Sequence, residues 1–116
     1  MGLKKILQDR LDNYTKAFSD VNEVCAIYVV DINNSKYIQK IYKYEEKRHQ
    51  YTKLLQKGFV LFTDSTIKQA VLETTEYNMA LRKVDDAICF VLISEKSLTF
   101  GKIIALMKQR LLYKRK

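Results

Sequence analysis

The chain has no proline, no tryptophan and only three glycines, Gly2, Gly58 and Gly101, among its 116 residues. Linkers are built from proline- or glycine-rich stretches, so nothing here separates one domain from another. A chain of this length buries one ordinary core and not two. A single domain over residues 3–112 is expected, with 113–116 as a basic tail. Cysteine is scarce too. Cys25 and Cys89 each sit inside an apolar run, Val24 to Val30 and Ala87 to Ile93, and neither has CxxC spacing. That excludes zinc-ribbon and thioredoxin-like motifs and predicts two buried thiols in a reducing compartment.

The parts needed for catalysis are also missing. The one histidine, His49, lies between Arg48 and Gln50 in a polar stretch, far in pattern from either thiol. A Ser-His-Asp or Cys-His site needs its base beside the nucleophile, so His49 reads as a surface residue. No GxxxxGK[ST] run is present, which excludes a P-loop. Glu45-Glu46 and Asp85-Asp86 are adjacent pairs, the first at a helix start and the second in a turn, and neither converges with the histidine on a metal. No enzyme, cofactor or metal site is expected. No apolar run approaches the ~18 residues of a membrane span. Met1-Gly2-Leu3-Lys4-Lys5-Ile6 lacks the apolar core of a secretion signal, and Ile6 stands where myristoylation wants Ser or Thr. A cytoplasmic location is expected.

What is present is a globular balance of 47% apolar and 29% charged residues, with a net charge of +8 divided between both halves. Leu3, Ile6, Leu7, Leu11, Tyr14 and Phe18 recur at helical spacing and predict a first helix. Val24 to Val30 is continuously apolar and β-branched, a strand covered on both faces. Asp31-Ile-Asn-Asn-Ser35 is a turn whose asparagines suit the left-handed conformation, and Lys36 to Tyr42 returns as an edge strand. Glu45 to Phe62 predicts a long central helix with an unusually wide apolar face. Gly58 within it is explained either by a close neighbour or by simple tolerance. Ala70 to Thr75, Met79 to Val84 and Ala87 to Ile93 are three strands joined by links too short for anything but antiparallel neighbours. Leu98 to Tyr113 closes the chain as a helix with Ser97 as N-cap and Ile103, Ile104, Met107, Leu111 and Leu112 on one face. The order α-β-β-α-β-β-β-α implies an α+β fold, a five-stranded antiparallel sheet with helices on both faces.

Three segments in this order resemble the roadblock/dynein light-chain family. Cys25-Ala-Ile-Tyr-Val-Val-Asp31 is similar to its first strand, which ends at an Asp before the turn. Asp85 to Glu95 is similar to its last strand after an acidic turn. Ser97-Leu-Thr-Phe-Gly101-Lys-Ile-Ile is similar to the start of its final helix. The first hairpin departs from the family pattern, with Asn33-Asn34 where a glycine is usual. The related longin and profilin-like sandwiches are the rival readings of the fold. The resemblance covers about Leu3 to Leu112 and implies strand order 2-1-5-4-3, the terminal helices on one face and the central helix on the other. It implies homodimers, or heterodimers with another roadblock-like chain, paired through the central helix and third strand. The residues expected there are Tyr51, Leu55, Phe59, Val60, Leu61, Val71, Glu73 and Thr75, with Leu54 and Leu55 also suited to the protomer's own core. It further implies a dimeric scaffold that binds a Ras-like small GTPase. Regulation of its hydrolysis would come from an arginine such as Arg48 or Arg82, or from orienting the GTPase's own residues.

Two other functions fit parts of the sequence. Tyr37, Lys40, Tyr42 and Lys43 interleave aromatic and basic residues as nucleic-acid-binding strands do, without an RNP-like motif. Lys108 to Lys116 is a basic end suited to a peripheral, longin-like membrane adaptor.

Overall fold

The computed structural model of the protein describes residues 2–64 and 66–113. Helix α1 (Leu3–Ala17) leads into strands β1 (Val24–Asp31) and β2 (Lys36–Ile41), followed by helix α2 (Arg48–Phe59), strands β3 (Gln69–Glu73), β4 (Tyr77–Lys83) and β5 (Ile88–Glu95), and helix α3 (Phe100–Tyr113). The sheet runs β2-β1-β5-β4-β3, with every neighbouring pair antiparallel, which is the order that the family resemblance implies.

The continuous apolar runs became the two strands nearest the centre. All of β1 is buried, as is β5 from Ile88 to Ser94. Alternation then divides the core. Ile27, Val29, Phe90 and Leu92 pack under α1 and α3, while Tyr28, Val30, Val91 and Ile93 pack under α2. Phe90 anchors the first layer, edge-on to Tyr14 at 5.1 Å and stacked on Phe18 at 5.3 Å. Such aromatic pairs add about 0.5–1.5 kcal/mol beyond burial.

Several local expectations are corrected. Ile6 is 46% exposed, because the stripe that meets the sheet is Leu7, Leu11, Tyr14 and Phe18, and Ile6 sits a residue's rotation away. In the first hairpin the left-handed residue is Ser35 (φ 55°), not an asparagine. Asp31 accepts from the Asn33 N–H at 3.1 Å and the Asn34 Nδ2 at 2.5 Å, which fixes both asparagines before the chain reverses. The expected helix 45–62 is three pieces, a 3₁₀ turn at Glu45–Lys47, then α2, then a 3₁₀ turn at Val60–Thr63. The final helix is capped by Thr99, whose Oγ1 accepts the Lys102 N–H at 3.3 Å. Ser97 lies too early, because Leu98 turns inward and is 1% exposed. Strand β3 stops at Glu73, because the Thr74 N–H donates to the Tyr77 carbonyl at 2.9 Å and its Oγ1 accepts from the Tyr77 N–H, closing the hairpin. Thr75 is therefore an exposed turn residue. The side chain of Leu112 and residues Lys114 to Lys116 lie outside what is described.

Gly58 has a close neighbour. A Cβ built there would lie 2.5 Å from Met79 Cε and 3.1 Å from both Leu81 Cδ atoms. The glycine lets the end of α2 settle onto β4, and so decides where the following residues emerge.

Candidate partner interface

Strand β3 forms one edge of the sheet. The Lys83 N–H donates to the Lys68 carbonyl and the Thr74 N–H to that of Tyr77, and hydrogen-bonded pairs alternate along an antiparallel ladder. The backbone groups of Gln69, Val71 and Glu73 therefore point outward. Apolar side chains are exposed on this strand and at the end of α2. Val71 is 39% exposed, and Val60 and Leu61 are 66% and 40% exposed where the chain leaves α2. Phe59 is half-buried beside them, its ring edge-on to that of Phe62 at 6.0 Å.

The other expected interface residues divide. Tyr51 and Leu55 are buried in the protomer's own core and leave the surface set. Tyr51 donates its hydroxyl to the Lys43 carbonyl at 3.1 Å and packs edge-on against Tyr77 at 5.3 Å. Their helical face meets the sheet, and only the residues past Phe59 escape it. Glu73 pairs with Lys96. Lys96 also donates to the Thr74 carbonyl at 2.9 Å and to Asn78 Oδ1 at 3.3 Å, while Asn78 Nδ2 donates to the Leu98 carbonyl at 2.9 Å. This knot holds the β3–β4 hairpin against the start of α3. Sequence reasoning missed it, although an asparagine inside the apolar run Tyr77-Asn-Met-Ala-Leu81 was the signal.

Neither arginine considered for action in trans is disengaged. Arg48 Nε donates to Glu45 at 2.5 Å, and Arg82 Nη1 to Gln69 Oε1 at 2.6 Å. The tyrosine–lysine segment forms no single stacking face. Tyr37 lies on the α2 side of β2, and Lys40 on the α1 side opposite Ile27. Lys43 is bound to Glu95 at 3.2 Å, and Tyr44, held in the left-handed region at φ 59°, donates its hydroxyl to the same carboxylate at 2.9 Å. Tyr44 and then Lys43 hold the Glu95 carboxyl below the ordinary range. At the end of α3, Arg110 is bound to Asp20 at 2.5 Å and to the Ala17 carbonyl at 2.9 Å.

Both cysteines are free and buried, and burial pushes the Cys89 thiol up to about 12 and raises that of Cys25. His49 is exposed. Among the described residues no cluster of His, Cys, Asp and Glu could hold a metal, and no helix is long and apolar enough to cross a membrane. A cleft of 170 Å³ between Phe18, Val24 and Tyr42 falls below the roughly 300–1,000 Å³ of small-molecule sites.

No protein-family model matches the chain, and no curated protein gives a significant match. Solved structures do match. MglC from Myxococcus xanthus has a TM-score of 0.62 and 18% identity, over 87% of this chain and 95% of its own. Myxococcus xanthus MglB has a TM-score of 0.63 and 13% identity, over 96% and 92%. The gliding protein MglB from Thermus thermophilus has a TM-score of 0.65 and 9% identity, over 96% and 87%. Identities this low speak to architecture. With its strand order, its two helical layers and its likeness to MglB and MglC, the chain has the roadblock fold.

Proposed function

We propose that the chain is a dimer-forming scaffold that binds a Ras-like small GTPase. The observation that carries the dimer is the β3 edge with Val71 exposed on it, together with the exposed Val60 and Leu61 at the end of α2. An edge strand with outward backbone groups and apolar flanks invites a partner strand. Two copies paired about a two-fold axis at Val71 set Val71 against itself and Gln69 opposite Glu73 of the other copy. No like charges then oppose each other across the edge. The likeness to MglB and MglC and the resemblance in the sequence support a GTPase as the client, and fold alone does not fix it. Arg48 and Arg82 each already bind a side chain of their own chain, which favours a scaffold that orients the GTPase's own residues over one that donates either arginine.

Light scattering on the wild type and on Val60→Glu tests the dimer. Twice the chain mass is expected for the wild type, and a folded monomer for the variant, since a carboxylate would be desolvated in the interface. A wild-type monomer refutes the dimer. Titration against a panel of GTP-loaded Ras-like GTPases tests the client, and Arg48→Ala and Arg82→Ala should leave binding and any effect on hydrolysis unchanged.

A further inference from the structure

The other edge of the sheet, β2, carries different chemistry. The Tyr42 N–H donates to the Cys25 carbonyl at 2.8 Å, and the register pairs Tyr28 with Gln39 and Val30 with Tyr37. By the alternation of the ladder, the backbone groups of Tyr37, Gln39 and Ile41 point away from β1, and no described residue bonds them. Lys36, Ile38 and Lys40 share the α1 side of the strand. Both lysines are exposed and have no ion pair among the described residues. The carboxylate opposite Lys36 is Asp31, which is 2% exposed and committed to Asn33 and Asn34. On the other side Tyr37 is 39% exposed, its ring edge-on to Tyr28 at 5.6 Å. On the same side of the strand, Gln39 Oε1 is buried and has no hydrogen-bond partner among the described residues.

We propose that β2 is a strand-addition site for an extended acidic segment of a partner protein. The segment would place Asp or Glu on the face that meets Lys36 and Lys40, and apolar or aromatic residues on the face that meets Tyr37. Main-chain hydrogen bonds to Tyr37, Gln39 and Ile41 supply the affinity common to any strand, and alternate side chains supply the selection. A second copy of this chain is a poor occupant, because pairing two β2 strands about Ile38 sets Lys36 against Lys40. An acidic strand turns the same lysines into attractive cross-strand partners, in keeping with a net charge of +8. The site uses the edge opposite β3, so it stands apart from the proposed dimer.

The test is a fluorescence-anisotropy titration of the full chain with a short fluorescein-labelled peptide of alternating glutamate and valine. Saturable binding is expected, weakened about tenfold by Lys36→Glu with Lys40→Glu, since two attractive pairs become repulsive. Lys53→Glu with Lys57→Glu makes the same charge change on exposed positions of α2 and should cost far less. N-methylation of the peptide's alternate amides needs no protein variant and should abolish binding. Absence of binding, survival of binding after N-methylation, or an equal loss in the α2 variant overturns the proposal. Displacement of the peptide by an RNA oligonucleotide that binds more tightly overturns it as well.

Discussion

Replacing Gly58 by alanine sets two well-measured effects against each other. In an exposed helix interior the change gains about 1 kcal/mol from propensity. Here the new methyl would stand 2.5 Å from Met79 Cε and 3.1 Å from both Leu81 methyls. Met79 and Leu81 are both 0% exposed, so neither can swing into solvent. The methionine tip can rotate, but the leucine must give by a few tenths of an ångström inside a filled layer. Overpacking of this kind costs about 1–3 kcal/mol. The net expectation for Gly58→Ala is a loss of about 1 kcal/mol, which for a domain of this size lowers Tm by roughly 3–6 °C. Gly58→Val, with two further methyls and a β-branch, should lose about 3 kcal/mol or more. Urea unfolding followed by circular dichroism at one fixed protein concentration measures both, the fixed concentration guarding against stabilisation by self-association. Leu81→Val should relieve the clash, so the double variant Gly58→Ala with Leu81→Val should lose less than the sum of its parts. A Gly58→Ala protein more stable than the wild type, with additive behaviour toward Leu81→Val, would refute the close-approach account of this glycine.

Three further outcomes follow from the contacts around the site. Lys96→Met leaves Asn78 Oδ1 and the Thr74 carbonyl without their shared donor. It should cost about 1–3 kcal/mol and speed hydrogen exchange selectively in β3 and β4; uniform exchange would sink the knot. Tyr44→Phe removes the leading cause of the depressed Glu95 pKa. A depressed carboxyl stabilises the fold above its unfolded value and loses that contribution as pH falls toward the folded one. The variant should therefore be less stable than the wild type near neutral pH and lose less stability on acidification, the two converging below the folded Glu95 value, and carboxyl titration by NMR should show Glu95 rising toward its ordinary 4.5. Cys25 and Cys89 should resist a thiol-specific reagent at pH 8 in the native protein and react together once it is unfolded, because burial withholds both thiolates. Rapid modification of either thiol in the native state would contradict the burial.

The strands were legible because continuous apolar runs and short links leave few arrangements for a sheet. The turns were not, since they depend on single side-chain acceptors. Asp31 captures Asn33 and Asn34 and so passes the left-handed position to Ser35. Periodicity likewise showed that Tyr51 and Leu55 share the wide face of the central helix. It could not say which part of that face meets the sheet, because the answer depends on Gly58 lowering the helix onto Met79 and Leu81. The width that suggested a partner was largely consumed by the protomer's own core. What remains exposed is the end, Val60 and Leu61, beyond the point where the α-helix tightens into a 3₁₀ turn. Lys96 carried no local signal, since it acts through residues about twenty positions upstream.

The two sheet edges answer one physical problem in opposite ways. Both present outward backbone groups, and both must choose which strands to admit. At β3 the charges are drawn off. Lys96 neutralises Glu73, Arg82 binds Gln69, and the apolar Val71 stands between them. An edge of that kind tolerates its own copy, because nothing at its centre is charged. At β2 the one opposing carboxylate is withdrawn into the hairpin turn, and Lys36 and Lys40 keep their charge. An edge of that kind repels its own copy and admits an acidic strand. If two chains join through β3, their β2 edges fall at the outer ends of the joined sheet, where two acidic segments can bind without meeting each other or the dimer seam. On these two proposals, growth of the sheet by further copies stops at the lysines, and the uncompensated charges are what separate closed pairing at one edge from selective docking at the other.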